Sequence, residues 1–267
     1  MRRIKKHIRN IKFYFQNKEK IKIAKRAVQK ELGKLIFRLS SVGGADINYL
    51  LIKEDKKFAI LRLSLLDEKG EGYSPILRYE KEKRLAKEYQ AYSLGSKQNL
   101  TPKILYYSEL GLACEYLHGE RAFDILQKDK SKVWYMLSAA VKTYRKLHDL
   151  GITHLDATLR NFIIEGNQMK VIDFEYYPSG DFKIESQKAY DYIRIIEHTL
   201  RKIPTLYQDK YVDFINVLDE IVPAEVKDAD LTSVAVRIEN IENFPIYVDL
   251  KKRIFKNFPK TQKKENK

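Results

Sequence analysis

Three oxygen-bearing side chains stand at the two ends of one short stretch of this chain. Residues 152–175 read Ile-Thr-His-Leu-Asp-Ala-Thr-Leu-Arg-Asn-Phe-Ile-Ile-Glu-Gly-Asn-Gln-Met-Lys-Val-Ile-Asp-Phe-Glu. Two apolar runs, Phe162–Ile164 and Met169–Ile172, flank Glu165-Gly166-Asn167-Gln168, the pattern of a β-hairpin closed by a Gly/Asn turn. Asp156 and Asn161 precede the first run and Asp173 follows the second, so a hairpin would deliver two carboxylates and one amide to a single edge. Phosphoryl transfer needs that set. One Asp orients the attacking hydroxyl and accepts its proton, while the Asn and the second Asp hold magnesium against nucleotide phosphates. Magnesium takes hard oxygen ligands, and one or two carboxylates plus the phosphates suffice.

Other elements must position this edge. Upstream, Leu35–Leu39, Tyr49–Lys53 and Phe58–Leu63 read as strands, with turns at Gly43-Gly44 and Glu54–Lys57. The turn Ser40–Asp46 is either a plain hairpin connection or a loop whose glycines let backbone approach a phosphate. Residues 66–76 read as a loop and Leu77–Leu94 as a charged helix; Lys103–Tyr107 and Leu112–Tyr116 complete a sheet. In Ser131–Leu150, Trp134, Leu137, Val141, Tyr144 and His148 recur at three and four, an amphipathic helix ending at Gly151. His148 on that face reads as a core or capping residue. A further helix begins at Asp191, and the last sixty residues read as helices over Thr205–Val222, Leu231–Ile241 and Ile246–Phe258 before a tail, 259–267, expected to be disordered.

Charge is uneven. Residues 1–30 hold twelve Lys and Arg against one acid, residues 251–267 eight against one, and the stretch between thirty-one against thirty-four. The body is therefore slightly acidic and the ends basic, which points to an anionic surface met by the termini; no nucleic acid is expected. Ile4, Ile8, Ile11 and Phe15 recur at helical spacing among those cations. They suggest a basic amphipathic arm that lies on an anionic leaflet, or else a terminus packed on the fold. No apolar run approaches the ~20 residues of a membrane span. The opening MRRIKKHIRNIKFYF lacks a signal-peptide pattern, and the single cysteine, Cys114, cannot form an internal disulfide. These features predict a cytoplasmic protein, peripheral on an anionic membrane that the family resemblance below would make the inner membrane.

His154-x-Asp156-x4-Asn161 followed by Ile172-Asp173-Phe174 resembles the catalytic loop and metal-binding segment of the protein-kinase-like superfamily. The resemblance implies an α+β, two-lobed protein-kinase-like fold with a small β-rich N-lobe and a mostly helical C-lobe. The expected division is an arm over 1–30, the N-lobe over 31–117, the C-lobe over 118–258 and the tail over 259–267. It makes Asp156 the catalytic base, Asn161 and Asp173 the magnesium ligands, and His154 and Asp191 braces of the loop. Gly43 and Gly44 would cover the phosphates of ATP. Arg62 stands where protein kinases carry Lys, paired with Glu88, with Glu82 as competitor. Glu115, Tyr116 and Leu117 would be the hinge whose backbone bonds adenine. Leu155, Arg62 and Glu175 depart from the protein-kinase pattern, and neither GxGxxG nor an Ala-Pro-Glu activation segment is present.

Within the superfamily, Lys188-Ala189-Tyr190-Asp191 with Arg194 and His198 resembles the bacterial lipopolysaccharide core heptose/Kdo kinases. That likeness implies an ATP- and Mg²⁺-dependent kinase acting on a sugar hydroxyl of a glycolipid. Arg62, Gly43-Gly44 and Asp173-Phe174-Glu175-Tyr176 are similar to choline and aminoglycoside kinases, which implies instead a small-alcohol substrate. The departures leave a nucleotide-binding pseudokinase scaffold as the third reading.

Overall fold

The structure is a computed structural model that describes residues 11–43, 46–66, 74–78 and 80–258. It is α+β. The early strands are β1 (Ile36–Gly43), β2 (Asp46–Lys53), β3 (Lys56–Ser64), β4 (Ile76–Leu77), β5 (Ile104–Ser108) and β6 (Gly111–Glu115). All but β4 form one antiparallel sheet in the order β1-β2-β3-β6-β5, so β1 is an edge. The chain divides into two compact units, Met1–Gly72 with Arg78–His118, and Tyr73–Leu77 with Gly119–Lys267.

In the first unit the strand alternation of β2 and β3 sends Ile47, Tyr49, Leu51, Ala59, Leu61 and Leu63 into one core. Onto it packs α1 (Lys18–Leu32), whose Ile21, Ala24 and Val28 fall on one helical stripe. Phe13 and Leu35 are buried with them. Fully burying a side chain of this size contributes about 1.5–3 kcal/mol, so residues 18–32 follow the second of the two readings, a terminus packed on the fold. The helix is also not continuous across the predicted arm. Residues 11–16 are helical, and the chain then turns at Asn17, whose Nδ2 donates to the Phe13 carbonyl at 2.9 Å. Ile4 and Ile8 of the expected stripe lie outside the described residues.

The turn expected over Ser40–Asp46 is mostly strand. β1 continues through Gly43 with a bulge between Leu39 and Ser41, and Gly43 pairs with Asp46. Asn48 Nδ2 donates to Ser41 Oγ across the ladder at 3.0 Å, which gives these small polar residues a reason to stay paired. The connection shrinks to residues 44 and 45, and Gly44 lies outside the described residues. The helix expected from Leu77 starts later, as α2 (Lys81–Gly95), because Ile76 and Leu77 are drawn into β4.

The second unit is mainly helical, with α3 (Ala122–Lys128), α4 (Val133–Asp149), α5 (Ile184–Leu200) and α6 (Val212–Ile221). Between α4 and α5 lies the predicted hairpin, β8 (Phe162–Glu165) and β9 (Gln168–Val171), joined at its side by β7 (Glu120–Arg121). Gly166, at φ 60°, takes the left-handed conformation that a Gly-first two-residue hairpin loop requires. β10 (Tyr177–Pro178) pairs with β4. α5 begins seven residues before the predicted start at Asp191. The long C-terminal helices are broken into shorter pieces: α6 stops before Pro223, a four-residue helix Ala224–Lys227 follows, and Leu250–Ile254 is a single π-helical turn. Pro223 supplies no N–H and fixes its own φ, so α6 does not continue through it. Among the described residues no helix is long and apolar enough to cross a membrane.

Candidate active site

The site in the second unit is built around one buried carboxylate on α5. Asp191 is fully buried, and its two oxygens accept the backbone N–H of His154 and of Leu155, each at 2.7 Å. Those two bonds hold Leu155 at φ 66°, a left-handed conformation that costs an L-residue roughly 1–2 kcal/mol. A sharp bend at Leu155 sets the direction in which Asp156 leaves the loop. His148 of α4 reaches the same carboxylate, with Nε2 3.2 Å from Asp191 Oδ2. Burial outweighs that contact and lowers the His148 pKa, so the ring is neutral and Nε2–H donates to Asp191.

His154 ties this loop to the far end of the hairpin. Its Nε2–H donates to the Ile172 carbonyl at 3.0 Å, while Nδ1 accepts the Asp156 N–H at 3.3 Å. Both ring nitrogens are thereby committed and the tautomer follows. Below it lies a floor of buried rings: His154 is 4.7 Å from Phe174, and Tyr144 is 6.0 Å from His154 and 5.0 Å from Phe162, between ring centroids.

Asp156, Asn161 and Asp173 meet at one end of the hairpin. Phe162 pairs with Val171, and just beyond that pair the Ile172 N–H donates to the Asn161 carbonyl at 2.9 Å. Asn161 Nδ2 donates to the Asp156 carbonyl at 3.0 Å. That bond fixes the amide's orientation and leaves Oδ1 as its outward oxygen. The Asp156 backbone is clamped at both ends, yet its half-buried carboxylate accepts no hydrogen bond and forms no ion pair among the described residues. Asp173 is half-buried at φ 73°, a second strained backbone at the same edge.

The donor set suits magnesium. Asn161 Oδ1 and the Asp173 carboxylate are hard oxygens, and nucleotide phosphates and water would complete an octahedron. Among the described residues no group of three or more His, Cys, Asp and Glu is gathered as a metal site, so this mixed pair is the candidate.

The first unit holds a separate cluster. Arg62 alternates with the core residues Leu61 and Leu63 and so leaves the opposite face of β3, where Nη1 meets Glu88 Oε2 of α2 at 3.2 Å. Glu88 is buried and also accepts from the Tyr92 hydroxyl at 2.8 Å, whereas the competitor Glu82 is exposed. Asp46, expected only as part of a turn, is a second anchor. Its carboxylate meets Arg62 Nη2 at 3.2 Å, Arg84 Nη2 at 3.3 Å and Ser64 Oγ at 2.8 Å. The spacing Arg84-Glu88-Tyr92, four apart on one helical face, was the available signal for a buried polar stripe. Gly111 is required beside this cluster, since a Cβ there would lie 2.4 Å from the Arg62 carbonyl oxygen.

In the expected hinge two backbone donors are already taken. The N–H of Glu115 donates to the Lys103 carbonyl at 2.9 Å and that of Tyr116 to the Phe58 carbonyl at 3.0 Å. Both are used in holding the sheet, and among the described residues no backbone carbonyl takes the Leu117 N–H. Cys114 is buried with its thiol pKa pushed up, by desolvation first and then by the Glu88 charge, so it packs and is not a nucleophile.

On α5, Tyr190, Arg194 and His198 follow one another at four-residue spacing. Arg194 Nη1 is bound to the fully buried Glu197 at 2.8 Å. Burial, and then the charges of Arg194, Arg160, Lys202 and Arg201, bring the His198 pKa down to about 4. His148 shifts in the same direction. The unfolded chain protonates both histidines near the ordinary value of about 6.5 while the folded chain resists. Stability is therefore present above pH ~6.5 and is lost as pH falls toward 4, at no more than about 1.4 kcal/mol per pH unit for each histidine. The urea midpoint should fall between pH 7 and pH 5, and His198→Gln should flatten that slope; a midpoint rising on acidification would contradict the assignment.

No protein-family model matches this chain, and no curated protein matches its sequence.

Proposed function

We propose that the chain is an ATP- and magnesium-dependent phosphotransferase of the protein-kinase-like, two-lobed kind, phosphorylating a sugar hydroxyl of a lipopolysaccharide-core-type glycolipid at the inner leaflet. The observation that supports the reaction class is the Asp191 clamp. A fully buried carboxylate bends the loop at Leu155 and presents Asp156, whose carboxylate has no hydrogen bond or ion pair among the described residues, beside Asn161 and Asp173. In this reading Asp156 orients the acceptor hydroxyl and takes its proton as the new O–P bond forms and ADP leaves. Asn161 and Asp173 would hold magnesium, which when bound neutralises charge developing on the phosphoryl oxygens. Arg62, steadied by Glu88 and Asp46, would serve the α/β-phosphates, and the fixed fork of a guanidinium suits them. Only ten residues separate Asp173 from α5, and two of them are spent on β10. A short connection of that kind favours a sugar or small alcohol over a peptide acceptor.

Thermal melts with ATP and ADP, each with and without magnesium, test the first step. A nucleotide at a hundred times its Kd should add about 2.7 kcal/mol of stability, and magnesium should strengthen the shift. Mass spectrometry of envelope glycolipids from a strain lacking the gene tests the acceptor, with loss of one phosphate expected. An unchanged glycolipid profile with turnover on choline or an aminoglycoside would move the acceptor to a soluble alcohol. No shift with any nucleotide would remove the enzyme.

A further inference from the structure

In the first unit three large apolar side chains stand in water around one depression. Ile11 is 45 % exposed, Phe15 65 % and Leu39 49 %, and with Tyr14 and Ser40 they line a hollow of about 380 Å³. Two segments far apart in the sequence build it, the helical residues 11–16 and the edge strand β1. Ile36 continues the exposure along β1. Single exposed apolar residues need no explanation, but a group gathered on neighbouring segments marks an interaction surface. Phe13 and Asn17 fix residues 11–16 to the fold, so the group is presented by a packed scaffold.

Charge decides the occupant. Residues 11–42 carry nine Lys and Arg against Glu19 and Glu31. A second copy pairing along the β1 edge would set this excess of positive charge against itself. Nucleic acid would gain from the cations but finds aliphatic Ile11 and Leu39 where a binding groove offers rings on which bases stack. A surface that is both anionic and apolar at shallow depth satisfies both halves of the patch.

We propose that this face docks on an anionic lipid bilayer, with Ile11, Phe15 and Leu39 entering the boundary between headgroups and acyl chains while lysines and arginines of residues 11–42 meet lipid phosphates. The assignment concerns the first unit alone; it deepens the inner-leaflet part of the proposed function and stands whether or not phosphotransfer does. It replaces a detached basic arm with a composite surface that includes a strand.

The test is co-sedimentation of the full chain with vesicles of phosphatidylcholine alone and with about 30 % phosphatidylglycerol. Partition is expected on the anionic vesicles and to weaken about tenfold or more when salt rises from about 0.1 M to about 0.5 M. Phe15→Asp and Leu39→Asp should each reduce it about tenfold while keeping the parent's melting temperature, since both side chains are exposed. Val236→Asp, at a position 79 % exposed in the second unit, should leave partition unchanged. Equal partition of parent and both variants would overturn the proposal. So would parent binding that is indifferent to lipid charge, a dimer in light scattering that Leu39→Asp dissolves, or tighter binding to duplex DNA than to anionic vesicles.

Discussion

On the proposed mechanism, replacing Asp156 by Asn should lower the rate of phosphotransfer by about two to four decades and leave the melting temperature where it was. The rate falls because Asn keeps the shape of the side chain but cannot take a proton from an alcohol. Stability holds because, among the described residues, the carboxylate oxygens of Asp156 make no hydrogen bond or ion pair that the substitution would remove. The bonds that position the residue run through its backbone, to His154 Nδ1 and from Asn161 Nδ2, and both survive the change. The KM for ATP should move by no more than about twofold, since the base acts on the acceptor hydroxyl and nucleotide affinity rests on other residues. Asn161→Ala behaves differently. It deletes both an oxygen offered to the metal and the Nδ2 bond to the Asp156 carbonyl, so activity and loop geometry fall together. The measurement is transfer from radiolabelled ATP to extracted envelope glycolipid. An Asp156→Asn enzyme with the parent's rate would remove the base, and with it the mechanism, leaving at most a nucleotide-binding scaffold.

What could be read from the residues follows how local the determining interactions are. The β8–β9 hairpin is specified within about ten residues, by β-branched runs and a left-handed Gly166, so pattern and structure agree there. The Arg62–Glu88 pair needed the order of elements as well, since only a helix laid against β3 brings residue 88 to residue 62. Asp46 was missed because its short polar side chain beside two glycines reads as turn. Its value as an anchor depends on the β2–β3 register, which sets it opposite Ser64. α5 was placed seven residues late for a different reason. Twelve of its seventeen residues are buried, so it has no polar face and shows no helical stripe. In the C-terminal region, apolar periodicity suggested long helices over Thr205–Val222, Leu231–Ile241 and Ile246–Phe258, none of which contains a proline, and the breaks come from distant contacts such as Trp134 Nε1–H, which donates to the Tyr207 carbonyl at 2.9 Å. The contact between Asp191 and the loop spans more than thirty residues and has no local sequence sign; it came only with a family resemblance.

Replacing Asp191 by Ala should destabilise the protein by about 3–5 kcal/mol, the range for removing one partner from a buried charged network. Three donors converge on this carboxylate, the His154 N–H, the Leu155 N–H and His148 Nε2–H, in a place that water does not reach. Each buried donor left without an acceptor costs about 1–3 kcal/mol. The left-handed backbone at Leu155 then has nothing to hold it, and relaxation there turns Asp156 away from its working direction. A domain of this size is stable by only about 5–15 kcal/mol, so the loss is a large fraction of the whole and should appear as a much lower urea midpoint. Asp191→Asn separates shape from charge. Its one remaining oxygen can accept a single N–H while its amide must face a second donor, so a smaller loss is expected, with activity reduced further than stability explains. That discrepancy carries the information. If Asp191 only filled space, Asn would be harmless and Ala would cost no more than a small cavity. If it sets the loop, both variants should lose phosphotransfer even at temperatures where they remain folded, and an Asp191→Ala protein with the parent's midpoint and rate would show that the bend at Leu155 is held by something else.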